Sequence, residues 1–275
     1  LRTNLPENAP LLLKELAQSI QYTIYSSELK EVVELYKKEK SPSSYIIDKY
    51  DYLFRCIHLE LIRGLLSHIY ILDVCRTAHR IAISKGFCCR PEMTEAMDLS
   101  ITGFVHPFTE GGRMNDWKMT NGNNICILTG SNMAGKSTTL KAITISVWLA
   151  HCGLPVPARS MTSPVFDGIY TSINLPDSLR DGRSHFMAEI LRIKEVLQKA
   201  KSGKRCLIIL DEMFRGTNAQ DAFEASIAVN ELLRKYPHCS FLISTHILEY
   251  AKHFEKDNTC CFYYMDSRIE DDQFI

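Results

Sequence analysis

The strongest chemical signal in the sequence is the run Gly130-Ser-Asn-Met-Ala-Gly135-Lys136-Ser137. It fits the pattern G-x-x-x-x-G-K-[ST], with a strand-like apolar run, Ile125-Cys-Ile-Leu-Thr129, before it and a helical pattern after it. Glycines at the two ends let the backbone curl so that its N–H groups converge on phosphate oxygens, and the N-terminus of the following helix adds positive potential. Lys136 reaches the terminal phosphates of a nucleotide, and Ser137 offers a hydroxyl to Mg²⁺. The expected ligand is Mg-ATP, cradled by Gly130, Ser131, Asn132, Met133, Ala134, Gly135, Lys136, Ser137 and Thr138.

Two further runs place reactive groups at strand ends. Leu207-Ile-Ile-Leu210-Asp211-Glu212 is an apolar strand closing on two acids. Ligands of parallel sheets bind at the carboxyl ends of strands. Asp211 is therefore expected beside Ser137, sharing the magnesium ion, and Glu212 is placed to take a proton from the attacking water. Phe241-Leu-Ile-Ser244-Thr245-His246 is a third apolar strand ending in a histidine, which there can hydrogen-bond the γ-phosphate or the water. Two acids ending a strand, or a lone histidine, also occur as structural features; their position after the phosphate run favours function.

The elements that must position these groups follow from periodicity. Residues 1–85 read as helical. One helix is expected from Leu11 to about Lys37, then a polar loop through Ser44. From Tyr45 to Lys85 the spacing predicts one very long helix or two stacked ones, with Gly64 a candidate kink. Character changes near Gly86, and residues 86–275 alternate strands with helices. Strands are expected over Leu99–Val105, Ile125–Thr129, Phe166–Ile173, Cys206–Leu210, Phe241–Ser244 and Cys260–Met265. Helices are expected after Ser137, over Met187–Lys201 and over Gln220–Tyr236, the last opened by a capping box at Thr217-Asn-Ala-Gln220. This order predicts an α/β domain with a mostly parallel sheet behind an all-helical segment.

Composition limits the function classes. Lys plus Arg equals Asp plus Glu at 32 each, so the chain lacks the net basic charge usual in nucleic-acid-binding modules; in a DNA machine it would be motor and not main grip. Its 10 cysteines include no C-x-x-C pair, and the vicinal pairs Cys88-Cys89 and Cys260-Cys261 suit neither a zinc cage nor an easy disulfide. They read as reduced thiols of a cytosolic protein, mostly buried. Charge interrupts every apolar stretch before it could span a bilayer.

Taken together, the motifs resemble the MutS family of DNA mismatch repair ATPases. Thr129-Gly-Ser-Asn-Met-Ala-Gly-Lys-Ser-Thr138 is similar to the family's T-G-P-N-M-G-G-K-S-T, and Leu-Asp-Glu-Met-Phe-Arg-Gly-Thr217 to L-D-E-I-G-R-G-T. Gly182-Arg-Ser184-His-Phe186-Met187-Ala-Glu189 is similar to G-R-S-T-F-M-x-E, and Leu72-Asp-Val74, Arg90-Pro91 and His106-Pro107 match spaced landmarks upstream. The resemblance implies a P-loop NTPase of ABC-ATPase type that works as a homodimer or a MutS-like heterodimer. Ser184 would then reach across to the partner's γ-phosphate; from local sequence alone the same loop reads equally as a cap for the helix near Met187. It implies DNA contact through parts mostly outside this chain, and a cytoplasmic, nucleoid-associated location in a prokaryote.

The sequence departs from that pattern at several places. Ser131 and Ala134 replace the family's Pro and Gly, His185 replaces Thr, and Phe214 puts a bulky ring where the family has Gly. The aromatic that stacks on adenine in the family falls near Gly112 here, leaving Phe108 and Trp117 as candidates. Alternative readings are a paralogue acting on recombination intermediates or other nucleic-acid structures, and a nucleotide-dependent switch with negligible turnover. Intact Lys136, Asp211 and Glu212 argue against the switch. A transporter ATPase is disfavoured because no L-S-G-G-Q-like loop precedes Asp211.

Overall fold

The apolar runs that read as strands around the reactive groups lie side by side in one five-stranded sheet, and every neighbouring pair in it is parallel. The computed structural model describes residues 10–26, 29–30, 34, 43–87, 89–109, 111–173, 185–266, 269–270 and 273–274. The chain divides into two units, Leu1–Arg80 and Ile81–Ile275.

In the first unit, helix α1 spans Leu11–Ile24 and buries Leu16, Ala17, Ile20 and Thr23 along one face. It starts directly after Pro10, whose carbonyl accepts from the Leu13 and Lys14 amides; proline suits a helix start because its missing N–H costs nothing there. α1 stops at Ile24, short of the expected Lys37, and most of 27–42 lies outside the described residues. Helix α2, Ser44–Tyr52, runs into a π-helical turn, Leu53–Ile57, before α3 begins at Leu59 and continues to Lys85. The wider turn is seen in the His58 N–H, which donates to the Leu53 carbonyl at 2.7 Å. The break therefore falls before Gly64, which sits within α3 with open space around its missing Cβ.

The second unit holds the strands. In chain order these are β1 (Glu92–Thr94), β2 (Leu99–Phe104), β3 (Asn115–Met119), β4 (Ile125–Gly130), β5 (Ser160–Pro164), β6 (Gly168–Ser172), β7 (Cys206–Asp211), β8 (Ser240–Ser244) and β9 (Cys260–Met265). Helices α4 (Lys136–His151), α5 (His185–Lys201), α6 (Ala219–Leu233) and α7 (Leu248–His253) connect them. The parallel sheet has the order β6-β7-β8-β4-β9. A second, mixed sheet, β1-β5-β2-β3, was not expected as such. Two short strands, β10 (Ile269–Glu270) and β11 (Gln273–Phe274), pair antiparallel as a third sheet, so among the described residues the unit is α/β with three sheets.

Strand alternation splits the core in two. Cys126 and Leu128 of β4, Leu207 and Ile209 of β7 and Leu242 of β8 join a cluster with α4 and the mixed sheet. Ile125, Ile127, Ile208, Leu210, Phe241 and Ile243 point the other way and pack with α5, α6 and α7. Successive side chains of a strand face opposite sides, so a continuous apolar run fills both layers. Each fully buried aliphatic side chain contributes roughly 1.5–3 kcal/mol, which makes β4 and β7 the stable base on which the polar groups at their ends are mounted. The cap of α6 is Asn218, one residue later than the expected Thr217: its Oδ1 accepts from the Asp221 amide at 2.9 Å.

Candidate functional site

Thr129 and Gly130 end β4, an interior strand of the sheet flanked by β8 on one side and the edge strand β9 on the other. The chain then turns through 131–135 into α4. Three positive φ values build this turn, at Gly130 (146°), Met133 (68°) and Gly135 (88°). The first and last demand glycine: a Cβ on Gly130 would stand 2.5 Å from the Met265 carbonyl oxygen, and Gly135 is the left-handed residue immediately before α4. Met133, by contrast, has its side chain in solvent at 78% exposure, so the left-handed backbone there is not crowded by packing.

Lys136, the first residue of α4, is buried. Its ammonium donates to the Gly130 and Ser131 carbonyls, both at 2.9 Å, and stands 3.4 Å from Glu212 Oε1. Ser137, one residue on, donates its hydroxyl to Asp211 Oδ2 at 2.7 Å. Parallel pairing of β4 with β8 and of β8 with β7 brings the carboxyl ends of these strands to the same edge, which produces the contact. The Ser244 hydroxyl donates to the other Asp211 oxygen. The Asp211 side chain is fully enclosed, so both oxygens are held by hydroxyl donors.

Glu212 follows with φ 48°, which turns the chain away from the sheet. Its amide donates to Ser244, both to the hydroxyl at 3.0 Å and to the carbonyl at 3.1 Å. Its carboxylate faces Lys136 through Oε1 and Arg215 through Oε2, the latter at 2.9 Å. His246 Nδ1 lies 3.7 Å from the same Oε2 with its side chain half-exposed: close, but beyond hydrogen-bond reach. Ser131, Asn132, Met133 and Thr138 are exposed, and Ala134, Gly135 and Ser137 half-buried. Ser184 lies outside the described residues, as do the other residues of 174–184.

A cavity of about 710 Å³ opens beside this loop, lined by Met133, Gly135, Thr138, Thr139, Phe104 and His106 among others. Burial, with the Lys141 charge behind it, pushes the His106 pKa below the usual histidine range, favouring the neutral ring. Its Nδ1 accepts from the Phe108 amide at 3.4 Å. Neither ring named from the sequence as a base-stacking candidate lines the cavity. Trp117 is buried in the core with Tyr263 stacked on it at 4.3 Å, and Phe108 stands 85% exposed. Phe214 goes into the core against Phe186, ring centroids 5.4 Å apart, at φ 64°. A left-handed backbone explains why glycine suits that position; here a buried ring holds it instead.

The sequence did not single out Ser244, Arg215 or Met265. Ser244 and Arg215 lie inside the quoted strand-end runs, but their contacts depend on the turn after β7. Met265 closes the site only because β9 pairs beside β4.

Comparison with known proteins identifies the family. The family model "MutS domain V" matches residues 126–275, more than half of the 275-residue chain. The chain is 37% identical over 189 residues to the DNA mismatch repair protein MutS of Granulibacter bethesdensis, an alignment covering 66% of this chain and 20% of that protein. It is 33% identical over 210 residues to the DNA mismatch repair protein msh3 of Botryotinia fuckeliana, covering 72% and 18% respectively. With the MutS of Petrotoga mobilis the identity is 29% over 253 residues, covering 89% of this chain and 29% of that protein. The chain thus spans between about a fifth and three tenths of the length of these relatives. The match of that family model to residues 126–275, over more than half of the chain, establishes that this chain belongs to the MutS family.

Proposed function

We propose that the second unit is an ATPase of ABC type that binds and hydrolyses Mg-ATP to drive a DNA mismatch repair protein. The observation that carries this reading is the meeting of Lys136 and Ser137, at one strand end, with Asp211 and Glu212 at another. Water attacks the γ-phosphorus as the bond to the bridging oxygen breaks, ADP leaves, and the water's proton passes to a base. Glu212 is the carboxylate within reach of Lys136, the residue that would hold the terminal phosphates, and it takes that proton. The curled backbone from Gly130 to Gly135 and the start of α4 supply N–H groups for the phosphates.

The donor set fits magnesium: a hydroxyl and a carboxylate, both hard oxygen ligands, already 2.7 Å apart. Ser137 and Asp211 would hold the ion, which when bound neutralises negative charge on the phosphate oxygens. His246 would orient the water or the γ-phosphate from beside Glu212. The nucleoside would occupy the cavity beside the loop.

Family membership supports a dimer, as homodimer or heterodimer, in which Ser184 reaches the partner's γ-phosphate. It also supports DNA contact through parts outside this chain. That these relatives are DNA mismatch repair proteins supports the pathway. Among the described residues no helix is long and apolar enough to cross a membrane, and the proposed location is the cytoplasm, at the nucleoid in a prokaryote. A paralogue acting on recombination intermediates or other nucleic-acid structures is a second reading, compatible with the match to msh3 of Botryotinia fuckeliana.

Glu212→Gln tests the assignment. The variant is expected to bind ATP as the parent does while single-turnover phosphate release slows by roughly 10²–10⁴-fold, the usual worth of a general base. Release at the parent rate removes Glu212 from that role.

A further inference from the structure

Two residues without the freedom of glycine hold left-handed backbone within three positions, Glu212 at φ 48° and Phe214 at φ 64°. Such conformations persist only where the surroundings over-determine them. On the apolar side the cause is visible: the Phe214 ring is 3% exposed and packs against Phe186. On the polar side the same turn brings Arg215 back over the strand end, its guanidinium 2.9 Å from Glu212 Oε2 and 3.8 Å from Asp211 Oδ2. Arg215 is itself 47% exposed, so packing does not explain its placement.

We propose that Arg215 is a positioning residue for Glu212, an inference that rests on the reading of Glu212 as general base. By anchoring Oε2 it leaves Oε1 directed to the side where Lys136 stands at 3.4 Å. A guanidinium suits this because its planar fork fixes the direction of a carboxylate, where an ammonium supplies only a point charge. Phe214 is the nail that keeps the turn in register, so the ring replacing the family's glycine stabilises the anchor instead of disturbing it.

The experiment is a double-mutant cycle in the full-length protein, with Arg215→Gln, Arg215→Lys, Glu212→Gln and the double variant assayed by steady-state and single-turnover ATP hydrolysis. Arg215→Gln is expected to lower kcat about tenfold with KM for ATP unchanged, and Arg215→Lys to recover part of that loss. Because Arg215 acts through Glu212, adding Arg215→Gln to Glu212→Gln should cost nothing more. A partly exposed ion pair contributes little to folding, so melting temperatures should stay within a few degrees of the parent. An unchanged kcat, a rise in KM alone, or a further loss in the double variant overturns the proposal. If Glu212→Gln hydrolyses ATP like the parent, it is the general-base reading that fails; if Glu212→Gln is inactive while Arg215→Gln is normal, only the positioning role fails.

Discussion

Ser137 donates its hydroxyl to Asp211 at 2.7 Å across 74 residues of sequence. Any functional reading of the two motifs requires that contact, and the parallel order β7-β8-β4 provides it by setting three strand ends along one edge. Had β7 run antiparallel to its neighbours, its two acids would lie at the far end of the sheet.

Replacing Lys136 with alanine is expected to weaken ATP binding by on the order of 100-fold, the loss of charge-assisted hydrogen bonds worth roughly 1.5–3 kcal/mol each. The domain should stay folded, since Arg215 still faces Glu212 after the ammonium is gone. Calorimetric titration with ATP and a thermal melt of the same sample separate the two effects. Parent-like affinity would remove Lys136 from the phosphate site.

Asp211→Asn keeps the shape of a fully enclosed side chain but removes its charge. Half-maximal hydrolysis should then need at least about tenfold more magnesium, a loss of about 1.4 kcal/mol or more in binding. Magnesium titrations of activity in parent and variant give the comparison. Coincident curves would place the ion elsewhere.

Gly130→Ala sets a Cβ against the Met265 carbonyl at a residue with φ 146°. The variant is expected to lose about 1–3 kcal/mol of stability and to bind ATP more weakly, because the loop must shift to relieve the clash. Gly64→Ala serves as the contrast. That glycine is helical and has open space around it, so alanine should stabilise by roughly 0.5–1 kcal/mol. Equal effects from the two substitutions would mean that the close approach to Met265 is unimportant.

Burial pushes the Cys239 thiol up to about 12 and the Cys260 thiol up to about 11, from an ordinary value of 9.0. Folding therefore favours the protonated thiols. Their contribution is intact below pH 9.0 and declines as pH climbs through the two raised values, because the unfolded chain ionises first. Urea midpoints measured from pH 8 to 11 should fall, and Cys239→Ala should flatten part of that fall. Among the described thiols, exposed Cys56 and Cys152 are expected to react with a thiol reagent in the native protein, while buried Cys126, Cys206, Cys239 and Cys260 react only on unfolding.

The candidate site was legible because phosphate chemistry restricts residue types within a short local window, and because apolar runs ending in acids are easily found. What lay beyond the window was not. The strand Asn115–Met119 carries Asn, Asp and Lys among its five residues, and Ser160–Pro164 carries two Ser, a Thr and a Pro. Such short stretches show no clear period, so the mixed sheet they form was invisible. Partners distant in sequence were equally hidden: Trp117 has the residue type of a base-stacking group, and only the register of β9 reveals that Tyr263 already occupies its face. Phe214 read as a bulky ring in the place of a glycine, because its neighbour Phe186 belongs to helix α5, distant in sequence. The π-helical turn at Leu53–Ile57 left no mark in composition, whereas Gly64, which did attract attention, sits within unbroken helix.

The position of β4 has a further consequence. It precedes β8 and β9 in the chain, yet lies between them. A chain emerging from the ribosome therefore exposes the loop after β4 before its walls exist, and the carbonyl of Met265 closes over Gly130 only once β9 has been made. Nascent chains halted before that strand should be unable to retain nucleotide, so that capture of nucleotide by a stalled polypeptide would time the closing of the sheet.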